Sequence, residues 1–374
     1  MKHYFLLFFV AMALVPACKD DDGPQPPADG VDLTDIPYSP TAYQLELPPG
    51  FPSMNIPADN PLTEQGIDLG RHLFFDPILS VDSTISCASC HDPKFSFTDG
   101  KAFSTGVDGQ IGTRSSMAII NAAFFENGLF WDGRAASLED QALQPVENPI
   151  EMAESWDNVE KKLRRHPLYQ KKFREAFGIK NSKEITRDLA AKAIAQFERI
   201  LISANSKFDK KFYQNDPDPF LFSDLETDGY FIYFDDLSNS QVAGHCAHCH
   251  DGGPLLTSDD YFNNGIEDVA TLDDFPDPGR GAVTGKRSDN GKFRAPTLRN
   301  IALTAPYMHD GRFQTLEEVV DHYNSGGHFV ENVNAQSIQP LHLSEYDKQA
   351  LIAFLNTFTD TNFVNNPLFQ NPFE

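Results

Sequence analysis

The chain has 374 residues, room for two domains of ordinary size, and about 40% of it is hydrophobic, enough for packed cores. A formal net charge of −24 argues against a nucleic-acid partner or adsorption on anionic lipid and favours cationic partners. The 31 phenylalanines suit a protein that wraps large flat apolar groups, although ordinary core packing uses them equally well.

In chain order, Met1-Lys2-His3-Tyr4 precedes an apolar run from Phe5 to Pro16. The run is too short to span a bilayer and has the form of an export signal. It stops at Ala17-Cys18, and the polar stretch KDDDG follows. This predicts a lipoprotein signal over residues 1–18, cut before Cys18, which then carries lipid. An ordinary secretory signal with an incidental cysteine is the alternative. The membrane is then met only through that anchor, and the expected location is the periplasm or cell surface, tethered to the outer membrane. Residues 19–45 are acidic and proline-rich, which predicts a disordered linker.

Folded sequence is expected from residue 46. A helix is predicted within 185–202, with Leu189, Ala193, Phe197, Ile200 and Leu201 on one stripe. Thr315 with Glu318 three residues later forms a capping box, and Gly326 marks the end of that helix. Another helix starts at Ser344, with apolar residues at 351, 352, 354, 355 and 358. No strand series is visible, so the fold class is mostly α with long irregular loops. The Asn/Asp/Pro-rich stretch SANSKFDKKFYQNDPDPF supplies the boundary, dividing the chain into residues 46–212 and 213–374.

Each half carries one Cys-x-x-Cys-His: Cys87 and Cys90 with His91, and Cys246 and Cys249 with His250. Apart from Cys18 the chain has no other cysteine, so no disulfide is needed. Two cysteines at this spacing form thioether bonds to one haem, and the adjacent histidine binds its iron through imidazole. Two covalent haems c are therefore expected, with His91 and His250 as axial ligands. Zinc held by four cysteines and a redox dithiol are the rival chemistries. Zinc does not require a histidine after each pair, and the chain lacks a thioredoxin-like pattern.

Around these motifs stand LGRHLFFDPILS, FWDGRAASLEDQALQPVENPIEM and FRAPTLRNIALTAPYMHDGRFQTLEEV. Together they resemble the bacterial dihaem cytochrome c peroxidase family, which includes the MauG-type enzymes, over roughly residues 50–360. The resemblance implies two cytochrome-c-like haem domains, an N-terminal peroxidatic one and a C-terminal electron-transfer one. It implies an enzyme that reduces hydrogen peroxide with electrons from a small donor protein, a cytochrome c or cupredoxin. The alternatives are a MauG-like enzyme that oxidises a protein or small molecule, and a non-enzymatic dihaem electron carrier. A homodimer is left open.

By the same resemblance, Trp131 matches the tryptophan between the haems, and Gln141 and Glu151 match the distal pair of the peroxide pocket. Glu151 could carry a proton between the two peroxide oxygens while Gln141 orients the peroxide. Taken alone, Glu151 is one of 54 acidic residues and reads as a solvated helix-end charge, and Trp131 reads as core. Thr304 and Pro306 match backbone ligands of a calcium ion between the domains, but Ser115 stands where the family has its asparagine ligand.

Two departures shape the expectation further. Residues 92–131 contain no histidine, so no distal histidine blocks the N-terminal haem; its place falls near Val107 and Asp108. Met117 is the only soft ligand in that window. The predicted sixth ligand of the other haem is Tyr323, which shares the i, i+3, i+4, i+7 stripe of Leu316, Val319 and Val320. Met308 and His328 are the alternatives.

Overall fold

The computed structural model describes residues 30–251 and 253–374. The residues around Cys18 and the start of the linker lie outside that range. Twelve α-helices occur among the described residues, in this order: α1 Glu64–Phe75, α2 Leu138–Glu147, α3 Trp156–Arg165, α4 Pro167–Phe177, α5 Arg187–Arg199 and α6 Lys207–Phe212, then α7 Asp224–Tyr233, α8 Ala247–His250, α9 Arg280–Thr284, α10 Leu316–Ser325, α11 Glu345–Asn356 and α12 Thr361–Val364. The only sheet among them is the two-residue antiparallel pair β1 Tyr261–Phe262 and β2 Phe293–Arg294. A mostly α fold with long loops is what the patterning predicted.

The caps explain why the helices begin where they do. Thr186 accepts from Leu189 N at the start of α5, Thr315 and Glu318 form the expected box on α10, and Ser344 caps α11. Gly326 closes α10 at φ 86°, a conformation an L side chain resists.

The described residues form two large hydrophobic cores, one around α1 and α5 and the other around α7 and α11. The cores share a device that is not legible when the two halves are compared by sequence. Gly70 of α1 lies so close to α5 that a Cβ there would stand 1.9 Å from the Ala193 carbonyl oxygen; Gly229 of α7 stands equally tight, 2.0 Å from that of Ala350 in α11. Each glycine precedes the histidine of its motif by 21 residues. In each half, then, two helices pack closely at a glycine that precedes the Cys-x-x-Cys-His motif.

Two expected boundaries shift. Residues 30–45 are not a free spacer: Leu33 is buried, Val31 N donates to Ser182 Oγ at 2.9 Å, and Leu33 N donates to the Lys180 carbonyl at 2.9 Å. The apolar side chains in that stretch find a site on the first core, which composition alone does not reveal. The division at 212/213 also moves. Helix α6 belongs to the second core, with Phe208 packed on Phe354 and Phe358 at 6.0 and 5.1 Å, and Asp209 doubly bonded to the buried Arg299. The crossing lies at residues 202–206, where Asp360 accepts from Ser203 Oγ and from the amides of Ala204 and Asn205. The chain then returns: Phe363 and Phe369 pack in the first core, and Arg71 holds the Gln370 carbonyl at 2.7 Å.

Candidate active site

Each motif opens onto a cavity. The first, about 780 Å³, is lined by Cys87, Cys90 and His91, and the second, about 170 Å³, by Cys246, Cys249 and His250. All four cysteines are unpaired and half-buried. His91 Nδ1–H donates to the Phe97 carbonyl at 2.9 Å, and His250 Nδ1–H donates to the Pro296 carbonyl at 3.0 Å. Those bonds set the tautomer and leave Nε2 of each ring as the basic nitrogen, the arrangement of an imidazole prepared for a metal. Burial lowers both imidazoles' pKa, His250 to about 4, so both rings stay neutral.

The same geometry disposes of the rival chemistries. Among the described residues no cysteine joins a cluster of three metal-ligating side chains, so a four-cysteine zinc site is not formed. Burial raises every one of the four thiols, Cys246 to about 12 and Cys249 to about 11, whereas a redox dithiol needs a lowered one. Two cavities with paired cysteines and a tautomer-fixed histidine fit two haem groups.

One wall of the first cavity comes from α2. Ser137 starts the helix by accepting from Asp140 N, and its period puts Leu138, Gln141, Pro145 and the C-cap Asn148 on one cavity-lining face. The following turn delivers Glu151. Its carboxylate accepts from Asn148 Nδ2 at 2.6 Å, and its pKa is raised by burial against the lowering effect of Asn148 and of Arg134. Glu151 is therefore no solvated helix-end charge. Across it runs the segment that carries no distal histidine: Val107 N donates to the Glu151 carbonyl at 2.9 Å, and Gly106 packs so tightly on Ile150 that a Cβ would meet its oxygen at 1.9 Å. Met117 lines this cavity too.

The second cavity is walled by the α10 stripe, and Leu316, Val319, Val320 and Tyr323 all face it. Burial pushes the Tyr323 phenol well up, and Asn264 opposes that shift. Met308 lines the same cavity, its Sδ 3.3 Å from Asn264 Nδ2. His328 does not: it is half-exposed beside Asp268, so that alternative falls away. His322 points elsewhere and meets the Asn264 carbonyl at 3.0 Å.

Three side chains line both cavities: Trp131, Arg294 and His309. Trp131 Nε1 donates to the Ser115 carbonyl at 2.8 Å, and its own carbonyl accepts from Arg294 N at 2.9 Å. His309 is buried and stacked on Phe293 at 3.7 Å, which places it in the wall between the cavities. The Ser115 hydroxyl donates to the Met308 carbonyl at 2.8 Å, which ties it to the chain just beyond Thr304 and Pro306.

Sequence reasoning missed Asn148, His309 and Glu198. Asn148 was legible in the NPIEM motif as a neighbour of Glu151, and His309 in HDG. Glu198 gave no signal, because it sits within an ordinary helical pattern. Yet it lines the first cavity fully buried, its Oε2 has no hydrogen-bond partner, and burial with the nearby Glu139 pushes its pKa up to about 8.

Fold and site together define a helical protein with two haem-type pockets sharing one wall. Residues 64–217 match the family model of the di-haem cytochrome c peroxidases. The chain is 37% identical over 270 residues to the cytochrome c551 peroxidase of Nitrosomonas europaea, covering 72% of this chain and 76% of that one. It is 34% identical to the methylamine utilization protein MauG of Methylorubrum extorquens, covering 80% of each. Among solved structures, a MauG-like protein associated with microbial copper homeostasis superimposes with a TM-score of 0.80 at 33% identity, covering 89% of this chain and all of the other. The chain belongs to the di-haem cytochrome c peroxidase family and is a peroxide-using oxidoreductase with two haem groups.

Proposed function

We propose that the first cavity reduces hydrogen peroxide to water and that the second receives the electrons. The observation that carries this reading is Glu151: a desolvated carboxyl, oriented by Asn148, in the same cavity as His91. The haem groups, held covalently by Cys87 and Cys90 and by Cys246 and Cys249, supply the redox chemistry when bound. The chain's own residues supply the rest. Glu151 takes the proton from one peroxide oxygen and returns it to the other as the O–O bond breaks, and Gln141 fixes the peroxide's orientation. Burial, by raising the Glu151 pKa above the ordinary carboxylate range, makes the carboxyl a readier proton acceptor for this transfer. Two electrons and two further protons complete the conversion to two waters. Trp131, common to both cavities, is the natural bridge for those electrons.

Tyr323 is the proposed sixth ligand of the second haem, with Met308 the competing side chain in the same cavity. A phenolate there favours ferric iron and lowers the potential. Calcium is proposed at the Thr304 and Pro306 carbonyls without Ser115, whose hydroxyl is taken by the Met308 carbonyl. A small basic redox protein fits the −24 charge as donor. Export, with Cys18 as lipid anchor, would place the chain where haem c is attached.

A MauG-like oxidation of a separate substrate is the second reading. It is favoured by the absence of any histidine in 92–131 and by Tyr323 lining the second cavity. Electron paramagnetic resonance of the ferric protein tests the shared premise: one high-spin and one low-spin haem is expected, and two low-spin haems would overturn the open first site. Peroxide turnover with reduced cytochrome c then separates the readings. Sustained turnover supports the peroxidase, and none with any donor supports the second reading.

A further inference from the structure

The two motifs differ in one respect that haem attachment does not require. The first reads Ser86-Cys87-Ala88-Ser89-Cys90-His91, whereas the second reads His245-Cys246-Ala247-His248-Cys249-His250. Two extra histidines flank Cys246, and the structure brings them to a single carboxylate. His245 Nδ1 lies 2.9 Å from Asp235 Oδ2, and His248 Nε2 lies 3.1 Å from the same oxygen. All three donor atoms fall within 4.8 Å of one another.

We propose that Asp235, His245 and His248 form a binding site for one divalent late transition-metal ion, with Cu(II) held most tightly, at the edge of the second haem pocket. The two nitrogen–oxygen spacings are those of neighbouring ligands on one ion. Two bonds of about 2.0–2.1 Å meeting at a right angle on one ion put their donor atoms about 2.9 Å apart. The carboxylate is already oriented towards the rings, since its Oδ1 accepts from His245 N at 2.8 Å and leaves Oδ2 to the imidazoles. Gln339 stands 3.4 Å from His245 Nε2, and its amide, turned to present Oε1, would accept the ring N–H once Nδ1 holds the ion. Water can complete the coordination, because His248 is exposed. Two imidazole nitrogens and one carboxylate oxygen select copper, nickel or zinc over calcium or magnesium, and copper leads that series.

A second cluster supplies a contrast. Glu267, His309 and Asp310 also gather, but Arg312 already pairs with both carboxylates. The ion-pair partners of Asp235 among the described residues are the two imidazoles alone. His248 also lies between the two cysteines of its motif, so the site is distinct from the haem ligands yet adjacent to their anchor.

The haem-loaded full chain should be titrated with CuCl2 by calorimetry and examined by Cu(II) electron paramagnetic resonance. The wild type should bind one ion per chain more than the His245→Ala/His248→Ala double variant, and that ion should show coupling to two imidazole nitrogens. His248→Ala alone should weaken binding at least about 100-fold, more than loss of an outer-shell partner would, with both haem absorption spectra unchanged. Equal stoichiometry in wild type and double variant, or coupling to fewer than two nitrogens, would overturn the site. Should the double variant lose haem, Asp235→Asn decides: it keeps the Oδ1 acceptor for His245 N and removes the charge. At least about tenfold weaker binding supports the proposal, and unchanged affinity refutes it.

Discussion

Replacing Glu198 by glutamine should stabilise the protein, and by an amount that grows with pH. Glu198 is fully buried with Oε2 unpartnered, and its pKa is raised to about 8 from an ordinary 4.5. Below pH 4.5 both folded and unfolded chains hold this proton, and the group imposes no penalty. Between 4.5 and 8 only the folded chain holds it, so stability falls as pH rises; above 8 the penalty levels off. At 1.36 kcal/mol per pH unit the penalty is about 1 kcal/mol at pH 5 and about 4 kcal/mol at pH 8. Glutamine cannot ionise and escapes it. Guanidinium unfolding followed by circular dichroism, at pH 5 and pH 8, should show the Glu198→Gln advantage widening by about 3 kcal/mol between them. A widening under about 1 kcal/mol, or an advantage that shrinks with pH, would refute the assignment of Glu198 as a buried neutral acid.

Further outcomes rest on other contacts. Asp209→Ala strands the buried Arg299 guanidinium and should cost about 3–5 kcal/mol in urea unfolding, where an exposed pair would cost under about 1. Asn148→Ala removes the donor that favours the Glu151 carboxylate, so the acid limb of the peroxide rate should move up by about one to two pH units; an unmoved limb would detach Asn148 from Glu151. Tyr323→Phe should raise the potential of the second haem measured by redox titration, and an unchanged potential would transfer the ligand role to Met308.

Local chemistry was legible in the sequence because it is encoded locally. Thr315, Ser344 and the α10 stripe announce their helices through capping and period, and Tyr323 reaches its cavity by that period alone. Both motif histidines line their cavities with one nitrogen bonded to a backbone carbonyl. What stayed hidden depends on distant partners. Leu33 reads as spacer because the core that buries it is completed by residues near Lys180, far along the chain, and Phe208 reads as boundary because its partners are Phe354 and Phe358. Glu198 was invisible for the same reason: a charged residue at helical spacing is usually solvated, and only the folded cavity removes its water.

The proposed peroxide reduction in the first cavity rests most on Glu151 as its proton carrier. The direct measurement is the rate of peroxide reaction of Glu151→Gln, followed by stopped-flow absorption of the haem-loaded protein at neutral pH. The variant keeps the side chain's shape and its place beside Asn148 while losing the exchangeable acid. The rate should fall by about 10²–10⁴-fold with the resting spectra of both haems unaltered. A rate within about threefold of wild type would place the proton transfer elsewhere and contradict the role of Glu151.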